Sequence, residues 1–239
     1  MPTTYDQWTV LPHKPPSRVT DDILTVVGEI DMPLMTLPRR MTVVRLKDGR
    51  LVVYNAIALT EPEMRRLEEF GAPAFLIVPN DHHRLDAISW KERYPALQVI
   101  APPGAREAVE AAVPVDATAG EFGDPSVRLA IVPGTDEREA ALEVRRLGGL
   151  TLVINDVIGN IRDARGFGGW LLKRMGFAGE EPHVPGPVQL NMVASKEALR
   201  RQFLAWAADP ALRRILVAHG EPIEDDPQGA LRKLADALA

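Results

Sequence analysis

The chain contains no cysteine. Disulfides, thiolate metal sites and cysteine nucleophiles are excluded with it. A chain without cysteine suits a reducing compartment, and a cytoplasmic location is expected. Residues 1–18 show no basic start followed by an apolar stretch, so no signal peptide is expected there. Long hydrophobic runs are missing as well. The best of them, Ala74 to Val78, has the length of a buried strand, and no membrane span is expected. Positive charge is in deficit: 28 Lys and Arg stand against 33 Asp and Glu, for a net charge of −5. A phosphate backbone demands a basic face, so no nucleic-acid partner is expected. Two catalytic signatures are also absent. There is no Gly-x-Ser-x-Gly elbow for a serine nucleophile. No Gly-Lys-Ser/Thr follows the glycine-rich run from Gly166 to Trp170, which argues against a phosphate loop there.

What remains is an ordinary globular mix, 46% apolar and 26% charged, which argues against disorder. The 239 residues can bury a large core without staples, and a single domain over residues 1–239 is expected. Residues 1–20, rich in proline and polar side chains, read as a loose lead-in. Ile23 to Ile30 reads as a first strand, and Met41 to Ala56 as a hairpin around Asp48-Gly49. Thr60 with Glu63 three residues on has the capping-box spacing of a helix start. Pro62 is tolerated in that first turn, and Gly71 ends the helix. Strand, helix, strand and helix follow at Ala74 to Val78, Ala87 to Tyr94, Leu97 to Ala101 and Ala105 to Ala112. Such an alternation implies parallel strands with helical crossovers. Then the pattern changes. Val127 to Val132, Ala141 to Arg146 and Leu150 to Ile154 are successive strand candidates, the last two joined at Gly148-Gly149. A helix (Lys196 to Ala208), a strand (Arg214 to Ala218) and a helix (Gly229 to Leu238) close the chain. This order suggests two sheets. Residues 159–187, rich in glycine, arginine and proline, form a long connection that reads as a lid or mobile loop, with a short helix at Trp170 to Met175.

Chemistry is expected where polar residues follow apolar strands, since strand ends of α/β folds gather along one edge. The five histidines are His13, His82, His83, His183 and His219. His82 and His83 lie just past one strand, and His219 directly past another. Asp156 follows Leu152-Val153-Ile154 in the same way. His83, Asp156 and His219 make a set suited to Zn²⁺, Fe²⁺ or Mn²⁺. The alternative, a structural polar cluster that ties loops together, stays open on spacing alone. In an extended exit adjacent side chains point apart, so His82 reads as the solvent-side neighbour of His83. His183 reads as solvated, Arg84 as a partner of Asp86 or of an anion, and Trp90 with Tyr94 as packing. Arg162, Arg165 and Lys173 read as a solvated basic face near the connection.

The stretches Asn80 to Ala87, Asn155-Asp156 and Val217 to Gly220 carry a resemblance. With the element order around them, they resemble the metallo-β-lactamase-like superfamily, in a branch whose metal motif is reduced. The resemblance spans residues 23–225. It implies an α/β fold, an αββα sandwich of two mixed β-sheets flanked by helices, with a metal site at one sheet edge. The family's first motif, His-x-His-x-Asp-His, falls on Asp81, His83, Leu85 and Asp86. Its next ligand histidine falls on Thr135, after Pro133-Gly134. Its bridging aspartate falls on Asp156 and its last histidine on His219. Three ligand positions are thus kept: His83, Asp156 and His219. Asp81 and Asp86 are carboxylates, while Leu85 and Thr135 are poor ligands.

The resemblance therefore implies a hydrolase with one divalent metal, with Asp81 or Asp86 as the catalytic base. The rival is a metal-free small-molecule-binding or regulatory module on the same fold, with no cofactor. Either way the expected partner is a small-molecule substrate or ligand.

Overall fold

A computed structural model of the chain describes residues 4, 5, 7–32 and 34–239. Two mixed β-sheets form its centre. The first has six strands in the order β1-β2-β3-β4-β5-β6: Ser17–Thr20, Ile23–Met32, Met35–Arg45, Arg50–Tyr54, Ala72–Ile77 and Gln98–Ile100. It is antiparallel as far as β4 and parallel from β4 to β6. Helices α1 (Glu61–Phe70) and α2 (Ala87–Arg93) make the crossovers that parallel pairing requires, and α3 (Arg106–Glu110) follows β6. The second sheet is β10-β9-β8-β7, with β7 Val127–Ile131, β8 Ala140–Arg146, β9 Gly149–Asn160 and β10 Leu212–Gly220. Only β9 and β10 pair in parallel. Helices α4 (Gly166–Arg174), α5 (Gly186–Asn191) and α6 (Lys196–Ala207) lie between them in sequence, and α7 (Pro227–Asp236) closes the chain.

The layering follows from a period of two on strands buried on both faces. Val43, Val53, Leu76 and Val99 face outward and pack under Met64, Leu67, Trp90 and Val109 of α1, α2 and α3. Their neighbours Val44, Val52 and Ile77 face inward and meet Leu142, Val153 and Leu216 of the second sheet. On the far side Leu152, Ile154 and Ile215 pack under Leu199, Phe203 and Leu231 of α6 and α7. The result is the expected αββα sandwich. Arg40 joins the sheets: buried on β3, it donates through Nε to Val217 O (3.0 Å) and through Nη2 to Gly220 O (2.8 Å) of β10.

One expectation is corrected. The lead-in is not loose from Trp8 onward. Trp8 packs on Trp90 with ring centroids 5.7 Å apart and donates its indole N–H to Leu59 O (2.8 Å). His13 meets Glu63 at 2.9 Å, and residues 17–20 add strand β1. Proline and polar composition hid these anchors. Residues 159–187 contain packed structure. They carry α4, and Ile161, Leu172 and Ala178 form a small core against Met35 and Leu37 of β3. Among the described residues no helix is long and apolar enough to cross a membrane.

Candidate metal centre

Strands β5, β9 and β10 bring His83, Asp156 and His219 together. His83 Nε2 lies 3.0 Å from Asp156 Oδ1, His219 Nε2 lies 3.1 Å from the same oxygen, and the two Nε2 atoms are 3.3 Å apart. A tetrahedral ion with bonds of about 2.0–2.1 Å needs donor atoms roughly 3.3 Å apart. The triangle fits one such ion.

The surrounding hydrogen bonds decide which atoms face the centre. His219 Nδ1 is 2.6 Å from Pro38 O, which can only accept, so Nδ1 carries the proton. Asn55 Nδ2 donates to Arg40 O (2.9 Å), so its Oδ1 faces His83 Nδ1 at 3.0 Å and accepts from it. Both imidazoles, when neutral, therefore turn a bare Nε2 to the centre. Asn80 fixes the third member. Its Oδ1 accepts from the backbone N–H of His82 (2.9 Å) and His83 (3.2 Å). Its Nδ2 donates to Asp156 Oδ2 (2.7 Å), leaving Oδ1 of that carboxylate for the site. Asn55 itself stands at φ 59°, in the left-handed region that asparagine tolerates better than most side chains. Gly220, at φ 107°, lets β10 pass β9 beside His219; a Cβ there would meet Asn160 O at 2.1 Å.

Burial governs the electrostatics. Burial pushes the Asp156 carboxyl up, but the two imidazoles outweigh it and hold the group well below the usual range. His83 is lowered, chiefly by burial. His219 is also pulled down by burial, yet the hydrogen bond to Asp156 reverses this and leaves it raised. Beneath them sits a residue that the sequence reading missed. Glu139, fully buried, accepts from Val157 N (3.1 Å) and from Asn80 Nδ2 (3.3 Å). Burial and the charge of Asp156 push its carboxyl up to about 8. It stands in the polar run from Thr135 to Glu139, which reads as a solvated turn and gives no local sign of burial.

The other expected residues lie elsewhere. Asp86 is buried in an ion pair with Arg39 and accepts from Ala58 N (3.3 Å), and burial raises its carboxyl. Asp81 is held by Arg138 (2.5 Å) and by His82 Nδ1 (2.9 Å), and these contacts outweigh burial to keep it far below the usual range. Neither lines the pocket above the triangle, whereas His82 and Leu85 do. Thr135 is buried with its hydroxyl donated to Val132 O (2.7 Å), a structural bond. His183 faces the backbone carbonyls of Glu181 and Gly176, and Arg84 donates to Ala108 O rather than to Asp86.

The pocket is a cavity of about 350 Å³ walled by Ile30, Met32, Leu37, Phe177, Val188 and Met192. Arg39 belongs to its lining and is 3% exposed. Only Nη1 is engaged, with Asp86; Nε and Nη2 have no partner among the described residues. A buried donor left unmade costs about 1–3 kcal/mol.

No family model matches the chain, and no curated protein does. Solved structures do. One is a metallo-β-lactamase, FIM-1, from Pseudomonas aeruginosa in its mono-zinc form. It is 10% identical with a TM-score of 0.64, over 95% of this chain and 96% of that one. A metallo-β-lactamase from Erythrobacter litoralis, with β-mercaptoethanol in the active site, is 14% identical with a TM-score of 0.63, over 93% and 96%. DIM-1 metallo-β-lactamase exposed to ceftazidime is 12% identical with a TM-score of 0.64, over 97% and 100%. At such identities the likeness establishes the fold: the chain has the metallo-β-lactamase fold.

Proposed function

We propose that the chain is a hydrolase of a small molecule that works with one divalent metal ion held by His83, His219 and Asp156. The carrying observation is the convergence of two Nε2 atoms and one carboxylate oxygen within 3.3 Å, each turned inward by its own hydrogen bond. Two histidines and a carboxylate suit Zn²⁺, Fe²⁺ or Mn²⁺ and leave coordination positions open. A bound ion of this kind supplies an acidified water and polarises the bond to be cleaved. The chain's own residues do the rest. Asn80, Asn55 and the Pro38 carbonyl hold the three ligands in place. The apolar wall excludes bulk water. His82 reaches the pocket with its Nδ1 2.9 Å from Asp81 Oδ1, and its imidazole is placed to hold or take a proton there. Asp81 thus acts through His82, and Asp86 belongs to the support of Arg39. The absence of cysteine agrees with a cytoplasmic site of action.

One observation favours a second reading, a metal-free binding or regulatory module. The three donors also stand within hydrogen-bond reach of one another, so one shared proton satisfies them. Elemental mass spectrometry separates the two, on protein purified without a metal-affinity column. About one equivalent of a transition metal is expected, lost in His83→Ala/His219→Ala. An unmetallated protein after incubation with Zn²⁺, Mn²⁺ and Fe²⁺ would leave the metal-free reading. A metallated protein is then screened against esters, thioesters and phosphodiesters.

A further inference from the structure

We propose that the pocket over His83, Asp156 and His219 binds a small apolar carboxylate, whose two oxygens take the Nε and Nη2 edge of Arg39. The inference extends the proposed function by naming the ligand class of the same pocket, and it rests on that reading only for the location of the reaction.

Three observations carry it. Arg39 is buried on β3 and is one of the residues around the pocket. Asp86 engages Nη1 alone, so the unpartnered atoms are Nε and Nη2. These two lie on one edge of the planar group and present parallel N–H donors, the geometry that grips a carboxylate with two bonds. The rest of the wall is apolar, with Ile30, Leu37, Phe177 and Val188 among its members, and suits a hydrocarbon body. The existing carboxylates do not compete for this edge: Asp86 keeps to Nη1, and Asp156 is engaged by two imidazoles and Asn80. Nε and Nη2 are closed to solvent, so the wall must part for the ligand. Met32 and Met192, both in the wall, are unbranched side chains that repack readily.

The probe is octanoate, compared with octanamide, which has the same chain but no charge. Calorimetric titration of the full protein, stripped of metal with a chelator and again after loading with Zn²⁺, reads both ligands. Octanoate is expected to bind roughly tenfold tighter than octanamide, and Arg39→Lys to remove that preference, because lysine keeps a charge for Asp86 but offers no fork. Arg39→Met/Asp86→Asn removes both charges and is expected to do the same, which covers a poorly folded lysine variant. Equal binding of the two ligands, or undiminished octanoate preference in a folded variant, overturns the inference. Metal content of the same samples keeps the two readings apart. Octanoate preference without metal binding overturns only the metal reading, and metal binding without octanoate preference overturns only this one.

Discussion

Asn80 shows how much of the site depends on a residue that would touch neither metal nor substrate. Its amide holds Asp156 Oδ2 and Glu139, while its carbonyl oxygen accepts from two backbone N–H groups at His82 and His83. Asn80→Ala releases the Asp156 carboxylate and the turn that carries the His83 imidazole, both proposed ligands. Supporting residues of this kind typically govern about 10- to 100-fold in metal affinity, so a loss in that range is expected. Competition with a chromogenic chelator reads it; unchanged affinity would mean that Asp156 is held by its imidazoles alone. Legibility at this scale divides along burial. His83, Asp156 and His219 could be picked out because each follows an apolar run, although Asp156 and His219 prove to lie within the last residues of β9 and β10. Arg39, Glu139 and Asn55 could not. Arg39 and Glu139 stand among polar neighbours and look solvated, Asn55 interrupts an apolar run where it looks like a turn residue, and only tertiary packing turns the three toward the site. The expectation that Asp81 or Asp86 acts as base did not include their partners Arg138 and Arg39, which come from distant parts of the chain.

Elements were easier to read where a local rule decides them. The start of α1 follows from Thr60 and Glu63, whose carboxylate accepts from the Thr60 N–H (3.1 Å). The hairpin at Gly148-Gly149 appears as expected between β8 and β9. Element length was harder. β2 and β3 run to Met32 and back from Met35, through Pro38, Arg39 and Arg40, because their pairing partner rather than their own pattern sustains them. The turn at Pro133-Gly134 has a definite physical role. Gly134 stands at φ 85°, its carbonyl accepts from Ala194 N (2.9 Å) and Ser195 N (3.2 Å), and a Cβ would lie 2.3 Å from Ser195 O. Gly134→Ala is therefore expected to destabilise by about 2–4 kcal/mol, combining left-handed strain with a backbone clash. Gly148→Ala, with open space around its Cβ and no left-handed φ, is expected to change stability by less than about 1 kcal/mol. Urea midpoints compare the two; equal shifts would mean that the turn yields without cost.

At the scale of the whole molecule, the site exists because two sheets present their strand ends at one edge, and something must hold those sheets in register. The expectation of an αββα sandwich came from element order, which is why it survived errors in individual bounds. The clamp itself was not legible, since a strand arginine between two apolar layers breaks the usual pattern. Arg40 spans the layers to Val217 O and Gly220 O, on either side of His219, and reaches Thr25 Oγ1 (3.2 Å). Burial lowers its pKa, yet its hydrogen bonds go to groups that no other described side chain serves. Arg146 bridges the sheets toward the other end of β3, donating to Arg45 O (3.0 Å) and pairing with Asp22 (3.1 Å). Arg40→Met keeps the apolar bulk but strands a buried and a half-buried carbonyl, so a loss of about 2–4 kcal/mol is expected. Arg146→Met removes a partly exposed clamp and should cost less, about 1–2 kcal/mol. The informative comparison is metal affinity at matched folded fractions. Arg40→Met is expected to weaken it, because β10 loses the bonds that fix His219 against Pro38, whereas Arg146→Met leaves that end of β10 untouched. If both variants bind metal like the wild type, the triangle is held by its local hydrogen bonds and not by the docking of the sheets.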